Sequence, residues 1–142
     1  MRKFVTQRVI DYPLAAASCQ AAMHKADELG ASINVAVVDR SGHLAAFLRH
    51  PQAAFHSSDI AVDKAYTAVS FGVPTDQWPE VMSTMSEAVQ KGMLLRDRFI
   101  AFGGGLPLHL DGELIGGVGV SGASEEQDQA CAEAALAVID TA

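Results

Sequence analysis

The stretch from Phe102 to Ser124, F-G-G-G-L-P-L-H-L-D-G-E-L-I-G-G-V-G-V-S-G-A-S, holds eight of the chain's twelve glycines. Glycine is entropically costly in regular structure and is useful where φ must be positive or where something approaches the backbone closely. Asp111-Gly112 separates the apolar runs Leu106–Leu110 and Glu113–Val120, which predicts a hairpin closed by a type I′ turn. Gly116, Gly117 and Gly119 fall inside the second run and predict a strand on which another backbone or a ligand rests. Ser124-Glu-Glu-Gln127 has the form of a capping box, so a helix follows. Together these features predict the wall of a pocket. Gly117-Val-Gly119-Val-Ser-Gly122 also spells a dinucleotide fingerprint. Its first two glycines, however, lie inside the strand, and only about 20 residues remain, too few for a second βαβ unit with its ribose-binding acid. A nucleotide cofactor is not expected.

At 142 residues the chain reads as one domain, residues 1–142, large enough to bury a core without disulfide or metal. Cys19 and Cys131 both sit in Ala-rich helical stretches and read as small buried thiols, so no structural metal is expected. The formal net charge is −7 with no block of basic residues, which argues against nucleic acid and anionic membranes as partners. No apolar run reaches membrane-spanning length, and the first nine residues alternate like a strand and lack the apolar core of a signal peptide. A cytoplasmic protein is the expectation.

Residues 2–10 read as an edge strand or an arm. Asp11 as cap, Pro13 in the first turn and Gly30 as stop bound a first helix. Residues 33–38 and 43–49 form two strands around the turn Asp39-Arg-Ser-Gly42. A second helix spans Ala53 to Phe71, with a cap expected near Ser57, Ser58 or Asp59. Pro74–Pro79 opens a further helical stretch to about Arg96, on which Met82, Met85, Val89 and Met93 form a stripe suited to core or an oligomer interface. Phe99–Phe102 reads as a short strand before the glycine-rich hairpin, and an Ala-rich helix ends the chain. The order β-α-β-β-α-α-β-β-β-α defines an α+β domain with helices packed on a meandering antiparallel sheet.

Four motifs in this order make the chain similar to a known family: Ala36–Arg49 (A-V-V-D-R-S-G-H-L-A-A-F-L-R), Ser57–Ala68 (S-S-D-I-A-V-D-K-A-Y-T-A), Gly103–Leu108 (G-G-G-L-P-L) and Ile115–Ala123 (I-G-G-V-G-V-S-G-A), with Gln127-Asp128 beyond. They resemble the GlcG/HbpS-like haem-binding family, which also includes the C-terminal domain of PduO-type cobalamin adenosyltransferases. The resemblance runs from the first helix onward. It implies a profilin-like α/β/α sandwich, with a central antiparallel sheet and helices on both faces, and a homo-oligomer. It further implies a haem-binding protein, or an accessory factor in the catabolism of glycolate, diols or related carboxylates. The adenosyltransferase domain of the PduO proteins has no counterpart here. Where the family continues Arg-Met-Asp-Gly-Ala, this chain has Arg49-His-Pro-Gln-Ala53. Pro51 therefore stands at the usual aspartate, and His50 enters as a new candidate ligand.

Templates for hydrolytic, zinc-peptidase and dithiol chemistry (G-x-S-x-G, H-E-x-x-H, C-x-x-C) are absent, and the five histidines lack chelating spacing. Lys64 shares a helical stripe with Ile60, Thr67 and Phe71, so it either snorkels to the surface or is placed for a task. Arg49, Lys64, the amides of Gly103, Gly104, Gly105, Ser121 and Gly122, and the start of the last helix form a set of donors. Such a set favours an anion, either a carboxylate or a haem propionate. Thr67, Phe55 and Phe71 join it as candidate ligand-binding residues. The alternative is that Arg49 and Lys64 pair with Asp39, Asp63 or Asp128 and hold the fold. Two function classes follow. One is a binding protein for haem or a small anion, with His24 or His50 as haem ligand. The other is an enzyme on a small carboxylate or carbonyl compound, with Lys64 as base or Schiff-base amine.

Overall fold

In a computed structural model, which describes residues 1–141, four strands form one antiparallel sheet in the order β2-β1-β4-β3. Along the chain these are β1 (Asn34–Asp39), β2 (Leu44–Arg49), β3 (Gly105–Leu110) and β4 (Glu113–Ser121). Three long helices cover the sheet: α1 (Tyr12–Leu29), α2 (His56–Phe71) and α5 (Glu125–Thr141). A 3₁₀ turn at Thr75–Gln77 and two short helices, α3 (Trp78–Ser83) and α4 (Glu87–Leu94), link α2 to β3. α1 and α5 pack on each other and on one face of the sheet, and α2 packs alone on the other. This is the α/β/α sandwich.

Alternation along the strands sorts the two faces. Val35, Val37, Leu106, Leu108, Val118 and Val120 are buried in a single cluster with Ala15, Cys19, Ala22, Cys131 and Ala135 of the helix pair. Between them, Asn34, Ala36, Val38, Gly117 and Gly119 present small or short side chains to α2. The glycines act here as predicted for a closely approaching backbone. A Cβ on Gly117 would lie 2.6 Å from the Ala65 carbonyl oxygen, and one on Gly119 would run into that of Ala61. α2 therefore rests its own backbone on β4.

The ends of the elements follow from local chemistry. The Asp11 carboxylate accepts from the Tyr12 amide, and Gly30 closes α1 at φ 66°. The β3–β4 hairpin turns through Asp111 (φ 52°) and Gly112 (φ 78°), both positive as a type I′ turn requires. The capping box closes reciprocally: the Gln127 amide donates to Ser124 Oγ at 3.1 Å, and the Ser124 amide donates to Gln127 Oε1 at 3.2 Å.

Four expectations are corrected. Of the two readings of residues 2–10 the arm holds and the edge strand does not, because β4, beside which the segment runs, is already paired on both sides. Ile10 donates to the Ile115 carbonyl at 2.9 Å, where a register shift interrupts the β3–β4 ladder. Arg8 clasps the hairpin through Glu113, its Nε donating to Oε2 at 2.6 Å and its amide to Oε1 at 3.1 Å. Residues 99–102 form no strand either, since the Ile100 amide donates to the Thr67 hydroxyl instead of to a neighbouring strand. The helical stretch after Pro74 is broken, because the Ser83 and Thr84 hydroxyls turn back on the carbonyls of Glu80 and Val81 and Ser86 caps a new helix. α2 begins at His56 without a side-chain cap. The Ser57 and Ser58 hydroxyls are engaged with Asn34 of β1 instead.

Candidate functional site

Lys64 points inward from the middle of α2, and its side chain is 1% exposed. Its ammonium donates to the Val120 carbonyl at 2.7 Å and to Asp128 Oδ2 at 3.2 Å, and it lies 5.0 Å from the centre of the Phe102 ring. Asp128, 5% exposed along its side chain, also accepts from the Ala123 amide at 3.1 Å. Burial pushes the Lys64 ammonium below the ordinary lysine range and the Asp128 carboxyl above the ordinary carboxylate range. Each partner draws the other back toward its charged form. Short distances and an extra hydrogen bond at each end hold the two as an ion pair.

This pair changes the meaning of the glycine clusters. They admit protein rather than opening a space. Gly104 (φ 119°) leaves room for the lysine, since a Cβ there would lie 2.7 Å from Nζ. The Gly104 amide donates to Gln129 Oε1 at 3.0 Å and the Gly105 amide to Thr75 Oγ1 at 2.9 Å. Ser121 is buried opposite Asn34 in the β1–β4 ladder, and Gly122 (φ 119°) lies against the Ser32 carbonyl. The Asp128 carboxylate stands where an external anion was expected.

The other candidates separate into three places. Arg49 is exposed, and its Nη1 donates to the carbonyls of His50, Pro51 and Ala53, at 3.2, 3.3 and 3.0 Å, stapling the loop after β2. In that loop His50 Nδ1 accepts from the Gln52 amide at 3.1 Å, and Phe55, 76% exposed, stacks on His56. His24 stands alone on the solvent side of α1. Thr67 and Phe71 open onto a cavity of about 360 Å³ between the C-terminal half of α2 and residues 93–99. There Thr67 Oγ1 donates to the Arg98 carbonyl at 2.8 Å. Among the described residues no cluster of three or more His, Cys, Asp or Glu could hold a metal ion, and no helix is long and apolar enough to cross a membrane.

Three residues matter more here than their sequence neighbourhood suggests. Asn34 is fully buried, and its amide donates to Ser57 Oγ at 2.6 Å, tying β1 to α2; a polar residue inside a β-branched run was the available signal. Trp78 packs edge-on against Phe71 and Phe99, each at 4.8 Å between ring centres. Arg98 adopts φ 65°, which no sequence pattern marks.

A four-stranded antiparallel sheet between one helix and a helix pair, pinned by a buried lysine–aspartate pair, defines the class of α/β/α sandwich. The chain belongs to the family described as haem degrading protein HbpS-like, whose model matches residues 10–137. It is 36% identical over 121 residues to the corrinoid adenosyltransferase PduO of Salmonella typhimurium, covering 85% of this chain and 36% of that protein. The chain thus spans about a third of that relative. Among solved structures, the Klebsiella pneumoniae protein ORFY is 34% identical with a TM-score of 0.92, over 100% of this chain and 98% of that one. PduOC in complex with haem is 33% identical with a TM-score of 0.84, over 93% and 96% of the two chains.

Proposed function

We propose that this chain is a haem-binding protein in which His24 supplies the axial ligand. The observation that carries the reading is the likeness to PduOC solved with haem, which extends over nearly the whole of both chains. The donor chemistry fits at α1. His24 is exposed, and neutral imidazole is the commonest protein ligand to a metal. His50 fits less well. Its Nδ1 accepts a backbone hydrogen bond, which places the ring proton on Nε2 and leaves no free lone pair without breaking that bond. Haem iron supplies a coordination position for such an imidazole. The reading of Lys64 as base or amine has less support, since its ammonium is already committed to Asp128 and Val120.

Adding haemin to the protein should give a Soret band shifted from that of free haemin, and His24→Ala should abolish the shift while His50→Ala keeps it. A spectrum of free haemin with the wild type removes the haem reading; a shift lost only in His50→Ala reverses the ligand assignment. We also read the chain as a homo-oligomer. Leu94 and Leu95 are 61% and 84% exposed at the end of α4, and such large apolar side chains favour a covering partner. Light scattering that returns the monomer mass, 14.9 kDa, at micromolar concentration would remove this part.

A further inference from the structure

We propose that the cleft between α2 and residues 93–99 is a second binding site, for a small anion carried on an aromatic or branched apolar body. This inference is independent of the haem reading, because the cleft lies on the α2 side of the sheet and His24 on the α1 side.

The cleft has the composition of a ligand site rather than of a surface dent. Its volume, about 360 Å³, falls at the lower end of the range for small-molecule pockets, roughly 300–1,000 Å³. Tyr66, Phe71, Met93 and Phe99 give it apolar walls. Phe71 and Phe99 do not stand alone, since both pack edge-on against the buried Trp78. That three-ring block is a firm floor on which a flat apolar body can lie. Ser70 brings a hydroxyl to the same wall.

Charge is placed at the rim. In a chain of net charge −7, this cleft is lined by two arginines, Arg96 and Arg98, against one acid, Asp97. Arg98 is held by three anchors. Its Nε donates to Asp63 Oδ1 at 2.9 Å, its guanidinium lies 3.6 Å from the centre of the Tyr66 ring, and its carbonyl accepts from Thr67. These anchors sustain a positive φ of 65°, a conformation that a non-glycine residue keeps only when its surroundings over-determine it. They use one face and the Nε of the guanidinium, leaving its terminal nitrogens for a carboxylate. Arg96 forms no salt bridge among the described residues and supplies a second cation. An apolar slot with a guanidinium at its mouth selects a compact arylalkyl or branched carboxylate over its neutral or cationic analogues.

The chain's only tryptophan sits under this floor and gives the readout. Phenylacetate is the probe, with phenylacetamide and phenethylamine as the neutral and cationic controls. Titration should change Trp78 fluorescence saturably, with Kd below about 1 mM for so small a ligand, and amide shifts in a ¹⁵N spectrum should centre on Tyr66, Ser70 and Phe99. Phenylacetamide and phenethylamine should bind at least tenfold more weakly. Arg96→Gln should weaken phenylacetate by about threefold to tenfold, and Ser70→Phe, which fills the slot from an exposed position of α2, should abolish binding without altering the fold. Equal binding of acid and amide, shifts centred elsewhere, or full binding by folded Ser70→Phe overturns the proposal.

Discussion

Replacing Lys64 by Met tests the buried pair directly. The variant keeps most of the apolar stem but removes the charge, leaving Asp128 buried with only the Ala123 amide, and the Val120 carbonyl without its ammonium donor. Removing one partner of a buried pair costs about 3–5 kcal/mol, because the remaining charge has lost its compensation. For a chain of this length that is a fall in Tm on the order of 10–15 °C. The loss must also depend on pH in a definite sense. Asp128 is already pushed up by burial, and without Lys64 it rises further. Between the unfolded value near 3.8 and the raised folded value, the native state then binds more protons than the unfolded chain. Stability of Lys64→Met therefore falls as pH rises through the folded value and is recovered in mild acid. The double variant Lys64→Met/Asp128→Leu removes both charges and should regain most of the loss at pH 7. Urea unfolding followed by Trp78 fluorescence at pH 5 and pH 8 measures all three. A loss under about 1 kcal/mol, or one equal at both pH values, would refute the charge-pair account.

Gly119→Ala should destabilise by more than about 3 kcal/mol and yield insoluble protein, because the added methyl meets the Ala61 carbonyl of α2. Gly92→Ala, with nothing within 4 Å of the new methyl in α4, should instead stabilise by about 0.5–1 kcal/mol in the same urea assay. Thr67→Val removes the hydroxyl that serves both the Arg98 carbonyl and the Ile100 amide, at about 1–3 kcal/mol, and should raise hydrogen exchange at Ile100. Burial pushes the thiols of Cys19 and Cys131 up to about 12 and about 11, so thiolate is absent at pH 8 and iodoacetamide should label the native protein only as fast as it unfolds; rapid labelling of either would refute their burial.

Where physical chemistry is local, the sequence was readable. Asp11, Pro13 and Gly30 set α1, Asp111-Gly112 set the hairpin, and Ser124 with Gln127 set the start of α5. The glycines of β4 announced a close backbone approach, and the backbone turned out to be that of α2. What alternation cannot reveal is whether a strand finds a partner. Residues 2–10 have the right pattern but no free neighbour beside β4, and Ile100 spends its amide on Thr67. The site divides the same way. The stripe left Lys64 open between snorkelling outward and facing inward, and Asp128 was one of three acids able to meet it. Only the fold turns the ammonium in and brings the two together across 64 positions. The cleft was illegible because Tyr66, Phe71, Arg98 and Phe99 become neighbours only once α4 returns the chain alongside α2.

The seat of α2 on the glycines of β4 has a mechanical consequence. Most helices meet a sheet through a cushion of side chains and can roll on it. This one has its backbone set into a notch, with the Ala61 and Ala65 carbonyls facing Gly119 and Gly117. A roll of one residue, about 100°, would drive Val62 or Tyr66 into a gap that admits no more than hydrogen. α2 therefore behaves as a stiff bar of 16 residues, about 24 Å long, free to tilt but not to turn. A displacement applied at Ser70 beside the cleft is delivered at the far end, where Ser57 and Ser58 grip Asn34, with no twist to absorb it on the way.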